Sequence, residues 1–579
     1  MRLRGQNLFF GALALLAALP LSAAEPLRPQ GDPPAASFNR LHTYEEIVDL
    51  LKGYAAAYPR WTRLESIGKT GQGRDLWLIT ITNPETGPEL SKPAMYIDGN
   101  THANEVQGGD TALYTVDYLL KNYGRLPRVT ELLDRAVFYI LPVLNADGRA
   151  RWFSGPSDAD YPRTVMVPVD DDRDGLADED DVDDVDGDGY ITAMRKKVPS
   201  GQGTHRLDPR DPRLLVEIEP GELGDWVQLG SEGIDNDGDG RVDEDGLGYI
   251  DPNRTWGYSW EPEYVQAGAG PYPLSIPETR SIALWALRHP NIGAVQSYHN
   301  NGQLILRGPG AKADTPYPGS DLKAYDLIAK EGEKLLPGYK YSIQWRDLYT
   351  VHGGATDHFY NLMGALSFTN EMYNPPADFD KDGDITDEEL MKFNDLLSLG
   401  RQWVDWHSYD HPQYGKIEVG GYKREVGRVP EAWALEDETH RSNAFVLLHA
   451  WHLPKLSLGD ASVEKVRDGL WKVTVPVLNE RAIPTMTSVA EKGKLHRQDV
   501  ATVTGGKVLA SGLVDDPYLD KITLQDHRPE RLMVPGVPGL STRLLFFLVQ
   551  GGGEITVQYD SLKGGKAAKK IALRETGLR

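Results

Sequence analysis

The chain has no cysteine in 579 residues, which excludes a disulfide framework and a lipid-attachment cysteine. Its stability must therefore come from elsewhere. Basic residues are outnumbered, 62 Lys and Arg against 85 Asp and Glu. They do not cluster with aromatics, so a nucleic-acid groove is excluded as well. Beyond the N-terminal segment no apolar run is long enough to span a membrane. Residues 1–24 read as a secretory signal peptide: a basic start, an apolar stretch from Leu8, and Ser22-Ala23-Ala24 before the cut. The expected location is periplasmic or secreted.

Negative charge is concentrated. Residues 170–188, 232–245 and 378–389 together hold 26 acids and 3 bases, leaving 59 of each elsewhere, so three short stretches account for the whole net charge of −23. Such runs repel themselves unless they are disordered or bind cations. Asp378, Asp380 and Asp382, followed by Gly383, Asp384 and Glu389, have the spacing of a twelve-residue EF-hand calcium loop. Asp235, Asp237 and Asp239 before Gly240, and Asp170, Asp172 and Asp174 before Gly175, repeat its first half. Asp184, Asp186 and Asp188 before Gly189 do the same, but Arg195 stands where the closing acid belongs. These three loops resemble those of dockerin-like and thrombospondin-like repeats, and several structural Ca2+ ions are expected.

Four other stretches carry chemistry. His102 and Glu105 follow the strand pattern Tyr96-Ile97-Asp98, which breaks at Gly99-Asn100. A His and a Glu three residues apart can close on one metal ion with a second His from elsewhere, leaving a fourth position for water. Alone, His-x-x-Glu is an ordinary turn. Two further predicted strands change that reading: one reaches His299 in Ser297-Tyr298-His299, the other reaches Glu371 in Ser367-Phe368-Thr369-Asn370-Glu371. Open α/β sheets place ligands at the carboxyl ends of their strands, so these residues can converge in one cleft. Zinc held there would activate water at neutral pH. Glu371 could take the water's proton and pass it to the leaving amine.

From about Tyr44 to Trp406 the sequence resembles the M14, carboxypeptidase A-like, zinc metallocarboxypeptidases. His102, Glu105 and His299 match the family's zinc ligands, and Glu371 its catalytic glutamate. Asn253-Arg254 looks like the pair that grips the substrate's terminal carboxylate, a bidentate task that lysine could not perform. Tyr349 matches the mobile tyrosine. Thr356, seven residues on, matches a position that helps set the side-chain preference, where threonine favours neither basic nor large aromatic residues. Met194-Arg195-Lys196 resembles the segment whose arginine polarises the scissile carbonyl, with Arg149, Arg151 and Arg163 nearby in the sequence.

The resemblance implies a mixed eight-stranded sheet flanked by helices over residues 39–415, after a flexible Pro- and Ala-rich lead-in at 25–38. The Asp-rich insertion falls at about 155–250. A connector is expected at 416–455, and short strands alternating with Gly, Pro and Asp turns over 456–579 read as an antiparallel β-sandwich. The expected activity is removal of C-terminal residues from peptides or proteins with a free C-terminus. Two other readings stand beside it: a peptidase of the same fold acting on peptidoglycan stems, and a calcium-dependent binding protein with a vestigial cleft. The retained Glu371 speaks against the last, since binding alone needs no general base.

Overall fold

The computed structural model describes residues 24–155, 163–170, 173–423 and 426–574. All of the expected signal peptide except Ala24 lies outside them, as does Asp172. Among the described residues no helix is long and apolar enough to cross a membrane.

The largest sheet has eight strands, in the spatial order Thr62–Lys69, Asp75–Ile81, Val137–Leu141, Ala94–Gly99, Ile292–Asn300, Leu366–Met372, Leu304–Arg307 and Lys340–Ile343. Its middle is parallel: Val137–Leu141, Ala94–Gly99, Ile292–Asn300 and Leu366–Met372 run the same way. The central strands are buried along their whole length, as expected where helices cover both faces. Alternation along each strand supplies the two cores. Met95 and Ile97 join one, with Phe138, Ile140 and Phe368. Ala94 and Tyr96 join the other, with Val137, Tyr139, Trp285 and Phe359. The expected mixed sheet is therefore present, and its parallel strands deliver their carboxyl ends to one edge of the layer.

The insertion is more than acidic loops. Ala193–Lys197, His205–Leu207, Leu215–Glu217 and Trp226–Ser231 pair antiparallel with each other and with Gly415–Tyr422, to which Trp403–His411 adds. This second sheet of six strands buries Met194, Ile417 and Val419. The segment expected as a connector at 416–455 is built into the rest of the molecule. Its start is a strand of the second sheet, and the helix Ala432–Trp451 inserts Phe445 and Val446 into the first core.

Two further antiparallel sheets follow. One contains Leu456–Leu458, Ser462–Arg467, Leu470–Asn479, Lys507–Asp516, Lys521–Leu524 and Ser541–Gln550; the other contains Asp499–Thr504, Arg531–Val534, Glu554–Ser561 and Gly565–Ala572. They face each other across Val473, Val475, Phe547, Val557 and Tyr559, the sandwich expected from the strand spacing. Lys563 of this unit is buried and donates to the carbonyl of Ile292, at the start of the strand that carries His299.

Candidate active site

The strand Ala94–Gly99 ends against the helix Gln107–Asn122. A Cβ on Gly99 would lie 2.3 Å from the Gly108 carbonyl oxygen, so only glycine permits this approach. Asn100 then turns the chain with φ +53°, and its side-chain amide donates to the carbonyls of His102 (2.7 Å) and Ala103 (3.1 Å). The loop is held from beneath by Arg149, which is completely buried. Its guanidinium donates to Asn100 Oδ1 and the Val106 carbonyl, both at 2.7 Å, and to Asp110 Oδ2 at 2.7 Å. His42 meets the other oxygen of Asp110 at 2.5 Å.

His102, Glu105 and His299 converge, all three buried, with one donor atom from each within 4.8 Å of the others. His102 Nδ1 lies 2.7 Å from Glu105 Oε1, and His299 Nδ1 lies 2.8 Å from Glu105 Oε2 and 3.2 Å from His102 Nδ1. Two imidazoles and a carboxylate with their donor atoms this close are the donor set that zinc takes in catalytic sites, where water holds the fourth position. Burial pushes the Glu105 carboxyl up, but the two histidines hold it well below the usual carboxylate range, which keeps it ionised.

Around this group stand Asp251, to which the sequence reading gave no role, and Arg163, which it named only as a neighbour of Arg195. Asp251 Oδ1 lies 3.1 Å from His102 Nε2, on the side of the ring away from Glu105, and fixes the ring's orientation. Burial opposes its ionisation, yet Arg254, His102 and Arg163 hold its pKa well below normal. Asp251 could have been found in Asp251-Pro252-Asn253-Arg254, two residues before the Asn-Arg pair. Arg163 reaches the same group: its Nη2 lies 3.0 Å from His102 Nε2, its Nε 3.3 Å from Asp251 Oδ2 and its Nη1 3.6 Å from Glu105 Oε1.

Arg195 is elsewhere, which corrects the expectation drawn from Met194-Arg195-Lys196. It sits in the second sheet, where its Nε donates to Glu418 at 2.9 Å and its guanidinium stacks over Trp226 and Trp406. Its sequence neighbourhood imitates the motif, but its strand pairs with 418–420 rather than with the cleft.

Glu371 is paired with His299 in register on adjacent parallel strands. Burial and the Glu105 charge push its carboxyl up to about 7, against His299 and Arg163. It shares one cleft with His102, Asn253, Arg254, Tyr349 and Thr356. Asn253 Oδ1 accepts from the Ala355 amide at 2.9 Å, tying this segment to the start of the helix Ala355–Met363. Arg254 is buried under Tyr349, whose ring centroid is 5.9 Å from the guanidinium carbon, and Tyr349 itself is 47% exposed at the rim. Thr356 hydrogen-bonds Thr369 at 2.7 Å. Asp357 also lines the cleft, with its carboxylate engaged by Tyr317 OH and the Gly310 amide.

The acidic loops bring some of their carboxylates together and leave others apart. Asp184, Asp186 and Asp188 cluster, as do Asp235, Asp237 and Asp239, and Asp378, Asp380 and Glu389. Asp382 and Asp384 continue the last loop through amide-to-carboxylate bonds, without joining that cluster. Asp174 meets Glu179 and Asp237 of the neighbouring loop rather than Asp170, whose Oδ2 accepts from the Gly175 amide. Glu389 also caps the helix Asp387–Phe393 with Thr386.

A family model described as zinc carboxypeptidase matches residues 47–168 and 237–381, and a domain of unknown function matches 455–572. Carboxypeptidase D of Anas platyrhynchos is 37% identical over 109 residues, 19% of this chain and 8% of that protein. Carboxypeptidase M of Mus musculus is 33% identical over 109 residues, 19% of this chain and 25% of that protein. The matched stretches thus span a quarter or less of these relatives. Among solved structures, carboxypeptidase A from Helicoverpa armigera superimposes with a TM-score of 0.45 and 17% identity, covering 73% of this chain and 76% of that one. The zinc carboxypeptidase match breaks between 168 and 237. That gap contains Arg195, whereas Arg163 lies inside the matched segment.

Proposed function

Because the chain carries a domain of the M14 zinc carboxypeptidase family, we propose that it is an exported metallocarboxypeptidase that removes C-terminal residues from peptides or proteins. The observation that carries this reading is the convergence of the His102, Glu105 and His299 donors beside a cleft shared by Glu371 and Arg254.

His102, Glu105 and His299 would hold the zinc, which when bound polarises the scissile carbonyl and lowers the pKa of water. The chain's own groups do the rest. Arg254, seated next to Asn253, receives the terminal carboxylate in a bidentate fork, which makes cleavage exo rather than endo. Tyr349 closes over the bound end from the rim, and Thr356 lines the place of the terminal side chain. Glu371 accepts the proton of the attacking water and returns it to the leaving amine. Arg163 faces the developing oxyanion, the role the sequence assigned to Arg195, and Asp251 keeps His102 aimed. The acidic loops are read as calcium loops that brace the insertion flanking Arg163 and Asn253.

A Glu371→Gln variant tests the reading. Its turnover of a free-acid peptide is expected to fall about 10³-fold, with zinc content unchanged by metal analysis. Retained turnover would remove Glu371 from its role.

A further inference from the structure

Of the acidic loops, Asp184–Asp188 looks the least complete in sequence, because Arg195 occupies the twelfth position. The acid that lies against the two ends of this loop in space is Glu232, bonded to Asp183 and Thr192. Glu232 follows the strand Trp226–Ser231 and is completely buried. Its backbone spans the loop's two ends: its amide donates to the Thr192 carbonyl at 3.1 Å, and its carbonyl accepts from the Asp183 amide at 3.1 Å. Its Oε1 accepts from the Thr192 amide at 2.7 Å and from the Thr192 hydroxyl. Oε2 has no hydrogen-bond partner among the described residues. Burial and the charges of Asp186 and Asp188 both oppose its ionisation.

The loop itself is already arranged. Asp184 accepts from the amides of Asp188 (3.0 Å) and Gly189 (2.9 Å), Asp186 from that of Asp188 (2.9 Å), and Asp188 from that of Tyr190 (2.8 Å). His407 Nε2 lies 2.8 Å from Asp186 Oδ2 and is half exposed. One imidazole cannot balance four carboxylates, and a buried carboxylate oxygen without a donor is costly unless a cation meets it. Hard oxygen ligands at positions one, three and five of such a loop, closed by a further carboxylate, are the set that calcium takes.

We propose that Glu232 is the ligand that completes a calcium site on the Asp184–Asp188 loop, in place of an acid at position 195. This rests on the reading of the acidic loops as calcium loops. It adds that the site is assembled from two separate segments, so the ion ties the 184–188 loop to the end of the strand Trp226–Ser231. Both residues 184–188 and Glu232 lie in the stretch that the family model does not match, so the site is an addition to the carboxypeptidase framework.

The test is calorimetric titration of the full chain, zinc-loaded and calcium-free, with Ca2+, alongside E232Q, D186N and D382N. The expected result is that E232Q and D186N each weaken the same single site at least tenfold, that the double variant loses no further site, and that D382N affects a different one. In calcium-free buffer E232Q should melt no lower than the parent, and added calcium should raise its Tm less. If E232Q keeps the parent's stoichiometry and affinity while D186N loses a site, Glu232 is not a ligand although the loop reading survives. If E232Q is destabilised equally with and without calcium, Glu232 is only structural. If the parent chain takes up no Ca2+, the loop reading falls as well.

Discussion

Arg163 and Arg195 make opposite predictions. Arg163 lies within 3.0 to 3.6 Å of His102, Asp251 and Glu105, so Arg163→Gln should lower kcat about 10²- to 10³-fold with little change in KM, the signature of an interaction made in the transition state. Arg195→Gln should leave kcat unchanged and lower Tm, since its partners are Glu418, Trp226 and Trp406. Equal kinetic effects of the two would contradict the placement. His102, Glu105, His299 and Glu371 were legible because each ends or follows a strand that the sequence displays as a run of apolar, aromatic and β-branched residues. Arg163 was not, because it stands in an irregular segment where no periodicity fixes direction, while Met-Arg-Lys at 194–196 offered a better local match. Asp251 was readable only as part of a motif, since its role depends on a ring 149 positions earlier in the chain.

At the scale of elements, the metal loop depends on how one strand end meets one helix. Arg149 joins Asn100, Val106 and Asp110 from below, and among the described residues its removal leaves the buried Asp110 carboxylate with His42 as its side-chain partner. Arg149→Met should therefore cost about 3–5 kcal/mol in unfolding free energy. Denaturant melts monitor this, with zinc retention falling in parallel as the loop loosens. A variant as stable as the parent would show that Asp110 is satisfied without Arg149. The order of strands and helices around this loop was readable from hydrophobic spacing. For the helix Ala432–Trp451 the spacing does not separate helix from strand, because the run Ala444 to Ala450 is apolar at almost every position. Its packing of Phe445 and Val446 against the main core decides the matter. The second sheet was not legible, because its strands come from segments some 200 residues apart.

For the whole molecule, buried neutral histidines add to the loss of stability in acid. Burial pushes His358 down to about 4 and His449 down to about 3. Between these values and the ordinary 6.5 only the unfolded chain binds the proton, so stability falls as pH drops through that window, by about 1 kcal/mol per pH unit for each group. Melting curves of His449→Leu should show a shallower decline between pH 6.5 and 5 than the parent; an unchanged slope would mean that His449 does not contribute. The sandwich was expected from its strand spacing, but its seating on the sheet through Lys563 was not, since a lysine in an exposed-looking Ser-Leu-Lys-Gly-Gly turn gives no sign of burial. The most direct test of the account is mass spectrometry of a peptide library incubated with the zinc-loaded chain, each peptide present with a free and with an amidated C-terminus. Loss of single terminal residues from the free-acid peptides alone is the predicted result. Internal cleavage, or equal cleavage of both forms, would contradict the placement of Arg254 at the end of the cleft and the exopeptidase function with it.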